Sequence, residues 1–231
     1  MFKIKEIIWL LLGAVLLGYV LEFQNWSINW MSWLIYAGLA IAALFIHTGA
    51  QKIIAYKLGC DIEIELWNLR QYGFRKSQYF RRPFPAWVVF PLVIAWVSFG
   101  VVKWLAVTVF DATPSLRSGK RFSELTEWEL GLIALSGSIL NIIFAVAFQY
   151  FNFHEFAMLN AGFAFFNLIP FSSLDGVKVF FGGKFFWMFN FVLTTIILIL
   201  LGIANLTTTI IASGVAFVML LVFFFAIYEA G

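Results

Sequence analysis

Two ionisable side chains interrupt apolar stretches of this sequence and could do chemistry there. His47 closes the run Leu34–Ile46, and Asp175 follows Pro170 in Asn167-Leu168-Ile169-Pro170-Phe171-Ser172-Ser173-Leu174-Asp175-Gly176. An ionisable group in lipid costs about 2.5–3.5 kcal/mol or more at a helix centre, so each asks for a partner or a function. A helix broken by proline frees backbone carbonyls, which a membrane tolerates only where protein or a water-filled cavity satisfies them. A carboxylate at such a break implies a hydrated pocket at membrane depth. The plainer alternative is that Asp175 caps the next helix and His47 bonds a neighbouring carbonyl.

The elements that must position them are membrane helices. Of 231 residues 63% are hydrophobic and only 12% charged, against roughly 25% charged in a soluble domain. Soluble enzymes, disordered tails and disulfide scaffolds are excluded, and the chain reads as an integral membrane protein. Cys60 is the single cysteine, which excludes an internal disulfide and a multi-cysteine metal cage. A net charge of +3 follows from basic loops and does not point to nucleic acid.

Spans of about 20 apolar residues are expected at Ile7–Phe23, Met31–Leu58, Glu129–Phe151, Phe185–Ala204 and Thr207–Tyr228. A further one begins at Phe156–Ile169 and breaks at Pro170. The run Ala86–Phe110, interrupted by Pro91, Ser98-Phe99-Gly100 and Lys103, is one helix or a helix followed by a re-entrant piece. The first helix is read as retained, not as a cleaved signal peptide. Cys60–Trp67 alternates polar and apolar residues with period two, the mark of a half-buried strand, and is the one strand expected. The fold class is therefore an all-α polytopic membrane protein of six or seven transmembrane helices, with a short membrane-associated β element near 60–67. Lys3 and Lys5 precede the first helix and the cluster from Lys52 to Arg82 (with Arg70, Arg75, Lys76 and Arg81) follows the second. The positive-inside rule puts both in the cytoplasm, making a multi-pass protein of the cell membrane with a cytoplasmic N-terminus. Which face holds the polar loop Asp111–Trp128 depends on the fate of the run before it.

Asn167-x-x-Pro170-x-x-x-Leu174-Asp175-Gly176 resembles the third-ligand motif of the site-2 protease family of intramembrane zinc metalloproteases. His47-Thr48-Gly49-Ala50-Gln51, followed by Lys52 and by Lys57-Leu58-Gly59, sits where that family has its His-Glu-x-x-His helix. Ser136-Gly137-Ser138-Ile139-Leu140-Asn141 is similar to its Gly-Pro-x-x-Asn turn, with serine for proline. The resemblance spans 34–186 as a core within a single membrane domain of 1–231, with 1–30 and 187–231 as added helices. It implies His47 and Asp175 as metal ligands if a metal is bound, Asn141 and Asn167 near the catalytic centre, and the strand Cys60–Trp67 beside a substrate groove.

The chemistry is depleted. Zinc-assisted hydrolysis needs three protein ligands, an open position for water and a base. Gln51 replaces the second histidine with an amide, and Thr48 replaces the general-base glutamate, whose role is worth roughly 10²–10⁴-fold in rate. His154 as a substitute ligand, or Glu63 (beside Glu65) as a substitute base, are the available rescues. Asn141, Asn160, Asn167 and Asn190 are otherwise expected to bond between helices, and Gly49, Ala50, Gly137 and Ser138 to let helices approach. The expectation is a proteolytically inactive relative, with no cofactor, that binds lipid and the transmembrane segments of partner proteins. The alternatives are an active zinc protease with a non-standard ligand set and a structural subunit of a larger membrane complex.

Overall fold

A computed structural model of the chain describes residues 2–24, 27–71, 79–114, 125–203 and 205–230. Arg75, Lys76 and the basic residues between Ser115 and Glu124 lie outside these. Eight helices and four strands follow in the order α1 (Ile4–Glu22), α2 (Trp30–Lys57), β1 (Cys60–Leu66), β2 (Leu69–Gln71), β3 (Tyr79–Phe84), α3 (Ala86–Val97), β4 (Thr108–Pro114), α4 (Glu127–Tyr150), α5 (His154–Asn167), α6 (Asp175–Gly182), α7 (Lys184–Ile203) and α8 (Leu206–Ala230). Five of the helices, α1, α2, α4, α7 and α8, are long and apolar enough to cross a bilayer.

Helix starts follow local chemistry. Asn29 caps α2, its side chain accepting from the N–H groups of Met31 and Ser32 at 3.0 and 3.4 Å. Thr126 and Glu129 form a reciprocal box at the start of α4, satisfying two amides that no helical carbonyl reaches. α1 and α2 cross closely because Gly18 lies against Ala37: a Cβ there would sit 2.7 Å from the Ala37 nitrogen. α4 is the most buried of the five long helices and forms the centre of the bundle, packed against α2, α5, α6 and α8.

The run Ala86–Phe110 resolves as a helix and a buried return. α3 continues through Pro91 and stops at Ser98-Phe99-Gly100, where Phe99 and Gly100 both have positive φ. Gly100 is required: a Cβ would stand 2.2 Å from the carbonyl oxygen of Phe23 at the end of α1. At 12 residues α3 is about 18 Å long, too short for a bilayer core of about 30 Å. The chain then continues without regular secondary structure through Leu105, Ala106 and Val107, all buried.

That return delivers β4, which pairs antiparallel with β1 from Cys60↔Pro114 to Leu66↔Thr108. The period-two strand is present with its inferred faces, Cys60, Ile62, Ile64 and Leu66 inward and Asp61 and Glu63 outward. It is not the only strand. β4 falls where the sequence predicts the end of an apolar run and the start of a polar loop, and β2 and β3 form a second antiparallel pair. β1 lies against α1 and α2, with Lys3 bonded to Glu63 and Lys5 within 3.8 Å of Glu65. The Asp111 segment, paired with β1, therefore occupies the same end of the bundle as Lys3 and Lys57.

Candidate polar centre

His47 and Gln51 are one turn apart on α2 and project from the same face. Asp175 opens α6, just beyond the break after α5. The structure brings these three together in the interior. The Asp175 Oδ2 atom is 2.8 Å from His47 Nε2 and accepts from Gln51 Nε2 at 2.7 Å, and the two nitrogens are 3.1 Å apart. All three residues are at most 2% exposed. An amide donor and an imidazole nitrogen thus converge on one carboxylate oxygen, and the imidazole donates to it in the tautomer with the proton on Nε2. Turning the Gln51 amide over would set its oxygen against that carboxylate, so the amide N–H side faces Asp175.

The surroundings hold this arrangement from three sides. The edge of the Phe163 ring on α5 meets the imidazole with centroids 5.1 Å apart. Gly137 on α4 lies flat against its other flank, where a Cβ would stand 2.6 Å from Cε1 and 2.7 Å from Nδ1. Lys178, one turn along α6, places its ammonium 4.0 Å from Asp175 Oδ1, bonds the Phe110 carbonyl of β4 at 2.6 Å and rests over the Phe110 ring. Lys178 was not singled out in the sequence. Its signal was the i, i+3 spacing from Asp175, which puts both on one helix face.

These residues can be tested against a zinc ion. Ligands at about 2.0–2.1 Å in a tetrahedral site lie about 3.3 Å from one another. The contacts to Asp175 Oδ2 here, at 2.8 and 2.7 Å, are hydrogen-bond distances. A histidine ligating through Nε2 hands its Nδ1–H to a carbonyl or carboxylate, whereas His47 Nδ1 has no partner. Lys178 already supplies positive charge beside the carboxylate. Among the described residues no group of three or more His, Cys, Asp or Glu is gathered where an ion could sit. The arrangement as it stands does not fit a zinc site.

The remaining expected residues fall as follows. Thr48 donates its hydroxyl to the Leu44 carbonyl at 2.8 Å, so it bonds its own helix and activates nothing. His154 pairs with Gln149 at the start of α5, nine residues from Phe163 and so about 13 Å away along the axis; it is not brought to the centre. Glu63 faces outward and is bonded to Lys3, which holds its carboxyl below the ordinary value. Neither rescue residue reaches the site. Asn141 is fully buried one turn beyond Gly137, and neither of its amide atoms finds a partner. Asn160, Asn167 and Asn190 donate to the carbonyls of Phe156, Phe163 and Phe186 in their own helices. The expected bonds between helices are replaced by these, because a carbonyl four residues back is always within reach. Ser138 does cross from α4 to the Ala164 carbonyl of α5, but Gly49 faces open space and is not a packing contact.

Among the described residues four buried polar atoms here accept or donate no hydrogen bond: both amide atoms of Asn141, Asn167 Oδ1 and Asp175 Oδ1, the last having only the Lys178 ammonium at 4.0 Å. Such atoms are satisfied by ordered water in native interiors. No protein-family model, curated protein or solved structure matches this chain.

Proposed function

We propose that this chain is a site-2 protease-like pseudoprotease, a membrane protein that binds segments of partner proteins without cutting them. The observation that carries the reading is the convergence of His47 Nε2 and Gln51 Nε2 on Asp175 Oδ2, at 2.8 and 2.7 Å. Positions matching a metal-ligand set meet at one buried spot, yet they close on one another through protons. Gln51 supplies an amide donor where the resemblance calls for a second imidazole, and Thr48 offers no base. The centre becomes a polar lock joining α2 to the α5–α6 break.

In this reading α5, the turn at Pro170 and α6 make one discontinuous crossing, since Gly182 at the far end of α6 packs against Glu127 at the start of α4. Broken helices of this kind place polar groups near the membrane midplane. With α1, α2, α4, α7 and α8 that makes six crossings, and α3 with its buried return is a re-entrant hairpin. Lys3, Lys5, Lys57 and Arg70 gather at one end, which supports a cytoplasmic N-terminus by the positive-inside rule. The partner-binding element is β1, because strand addition depends on backbone and shape and survives loss of a metal.

Restoring the ligand set is the test. The double variant Thr48→Glu with Gln51→His is expected to bind zinc at about one ion per chain when equilibrated in detergent, with at least tenfold tighter affinity than the parent chain, given the strength with which imidazole holds zinc. Equal zinc binding by both would refute the lock. No binding by either would refute the kinship.

A further inference from the structure

β1 is hydrogen-bonded to β4 along one edge only. Trp67 N–H donates to the Val107 carbonyl and the Thr113 hydroxyl reaches the Asp61 carbonyl, so the odd-numbered residues face β4. Backbone groups of successive residues point to opposite edges, so Ile62 and Ile64 address the other edge. There Lys52 donates to the Ile62 carbonyl at 2.9 Å, and Ile64 N–H donates to Glu6 Oε1 at 2.9 Å. Lys52 Nζ and Glu6 Oε1 themselves meet at 2.8 Å. A carbonyl and the N–H two residues on are the pair that a single residue of an added parallel strand would bond. One side-chain ion pair thus stands in for one residue of strand.

Glu6 belongs to the first turn of α1 and Lys52 to α2, so the first helix closes the edge. The closure is stiff: Glu6 is 2% exposed and its second oxygen accepts from Lys3 N–H at 2.6 Å. Beside it lies a groove of about 780 Å³ whose charged lining is Lys3, Lys52, Lys57, Asp61 and Glu63, with Phe2 among the apolar residues. Glu63 is taken by Lys3, so withdrawing Glu6 would strip Lys52 of the carboxylate bonded to it. Among the described residues that leaves Asp61 as the one unpaired carboxylate of the lining against Lys52 and Lys57. A segment replacing Glu6 must therefore bring a carboxylate as well as a backbone.

We propose that Glu6 and Lys52 form a removable plug over an edge of β1 that receives an extended acidic segment of a partner protein. The proposal rests on the reading of β1 as a partner-binding strand and adds what keeps it closed. The alternative is permanent protection of an exposed edge, a common device against unwanted pairing.

The test uses the full chain in lipid nanodiscs and a labelled seven-residue peptide alternating valine and glutamate. Glu6→Ala is expected to speed amide exchange at Ile64 and to tighten peptide binding at least tenfold, because a closed edge taxes affinity by the fraction of molecules that are open. Glu6→Gln, which keeps an acceptor and the packing but drops the charge, is expected to fall between. Adding Lys52→Met to Glu6→Ala is expected to erase any preference for that peptide over its valine–glutamine counterpart. Unchanged exchange at Ile64 in Glu6→Ala overturns the plug. Peptide binding that protects Ile64 equally in parent and variant overturns the plug and leaves β1 as a docking strand. Faster exchange with no peptide binding overturns both.

Discussion

Asp175→Ala is expected to lower the folding free energy of the chain by about 4 kcal/mol, the cost of removing one member of a buried charged network. The carboxylate oxygen Oδ2 lies within hydrogen-bond distance of both His47 Nε2 and Gln51 Nε2, and Lys178 lies 4.0 Å from its other oxygen. Alanine would strand two donors and a partly buried ammonium together. The loss should exceed that of Asp175→Asn, which keeps one acceptor oxygen. Thermal unfolding in detergent, followed by tryptophan fluorescence, would register both. The loss should be the same with and without a strong chelator, and the chelator alone should leave the parent chain untouched. An alanine variant as stable as the parent would show that the centre holds nothing together.

Gly176→Ala should be nearly as damaging, by about 3 kcal/mol or more, through crowding instead of polarity. A Cβ at this position would lie 2.2 Å from the Leu168 carbonyl oxygen, 2.4 Å from its carbon and 2.6 Å from the Ile169 oxygen. All three are backbone atoms at the end of α5, so no side chain can rotate away. Relief requires moving α6 off α5, and α6 carries Asp175. The variant should therefore lose stability and also loosen the lock, seen as faster amide exchange at the start of α6. Unaltered stability would mean that the two helix ends do not approach this closely. The glycine after the aspartate is thus explained by packing, independently of any catalytic role.

What the sequence made legible depended on which physical rule each residue obeyed. α2 begins and ends within a residue of the reading because Asn29 caps it and Leu58-Gly59 terminates it. β1 was legible from strict alternation, since one buried face forces a period of two. β4 was not: Thr108-Val109-Phe110 merged into the apolar run before it, and Asp111 and Pro114 carried the marks of a loop. α6 was hidden by Pro170, Ser172 and Ser173, whose turn signals masked an eight-residue helix. The burial cost of an ionisable group flagged His47 and Asp175 separately and left each with a local bond as the plainer outcome. That they and Gln51 share one site was implied only by the resemblance to the site-2 protease motifs.

Other features left no local trace. Glu6 carries no mark in the sequence, and only the tertiary fold sets it against Ile64, 58 residues away. Lys178 reaches Phe110 across 68 residues, a contact that depends on β4, which was itself missed. The asparagines erred in the other direction. Each was assigned to a neighbouring helix, yet three of the four satisfy their donors within one turn of their own.

The most direct test of the central claim is the metal content of the full-length chain, purified in detergent, saturated with zinc and passed through a desalting column. Well below a tenth of an ion per chain is the expected result, on the order of what a site lacking a third good ligand would retain. Close to one tightly held zinc per chain, lost together in His47→Ala and Asp175→Ala, would contradict it.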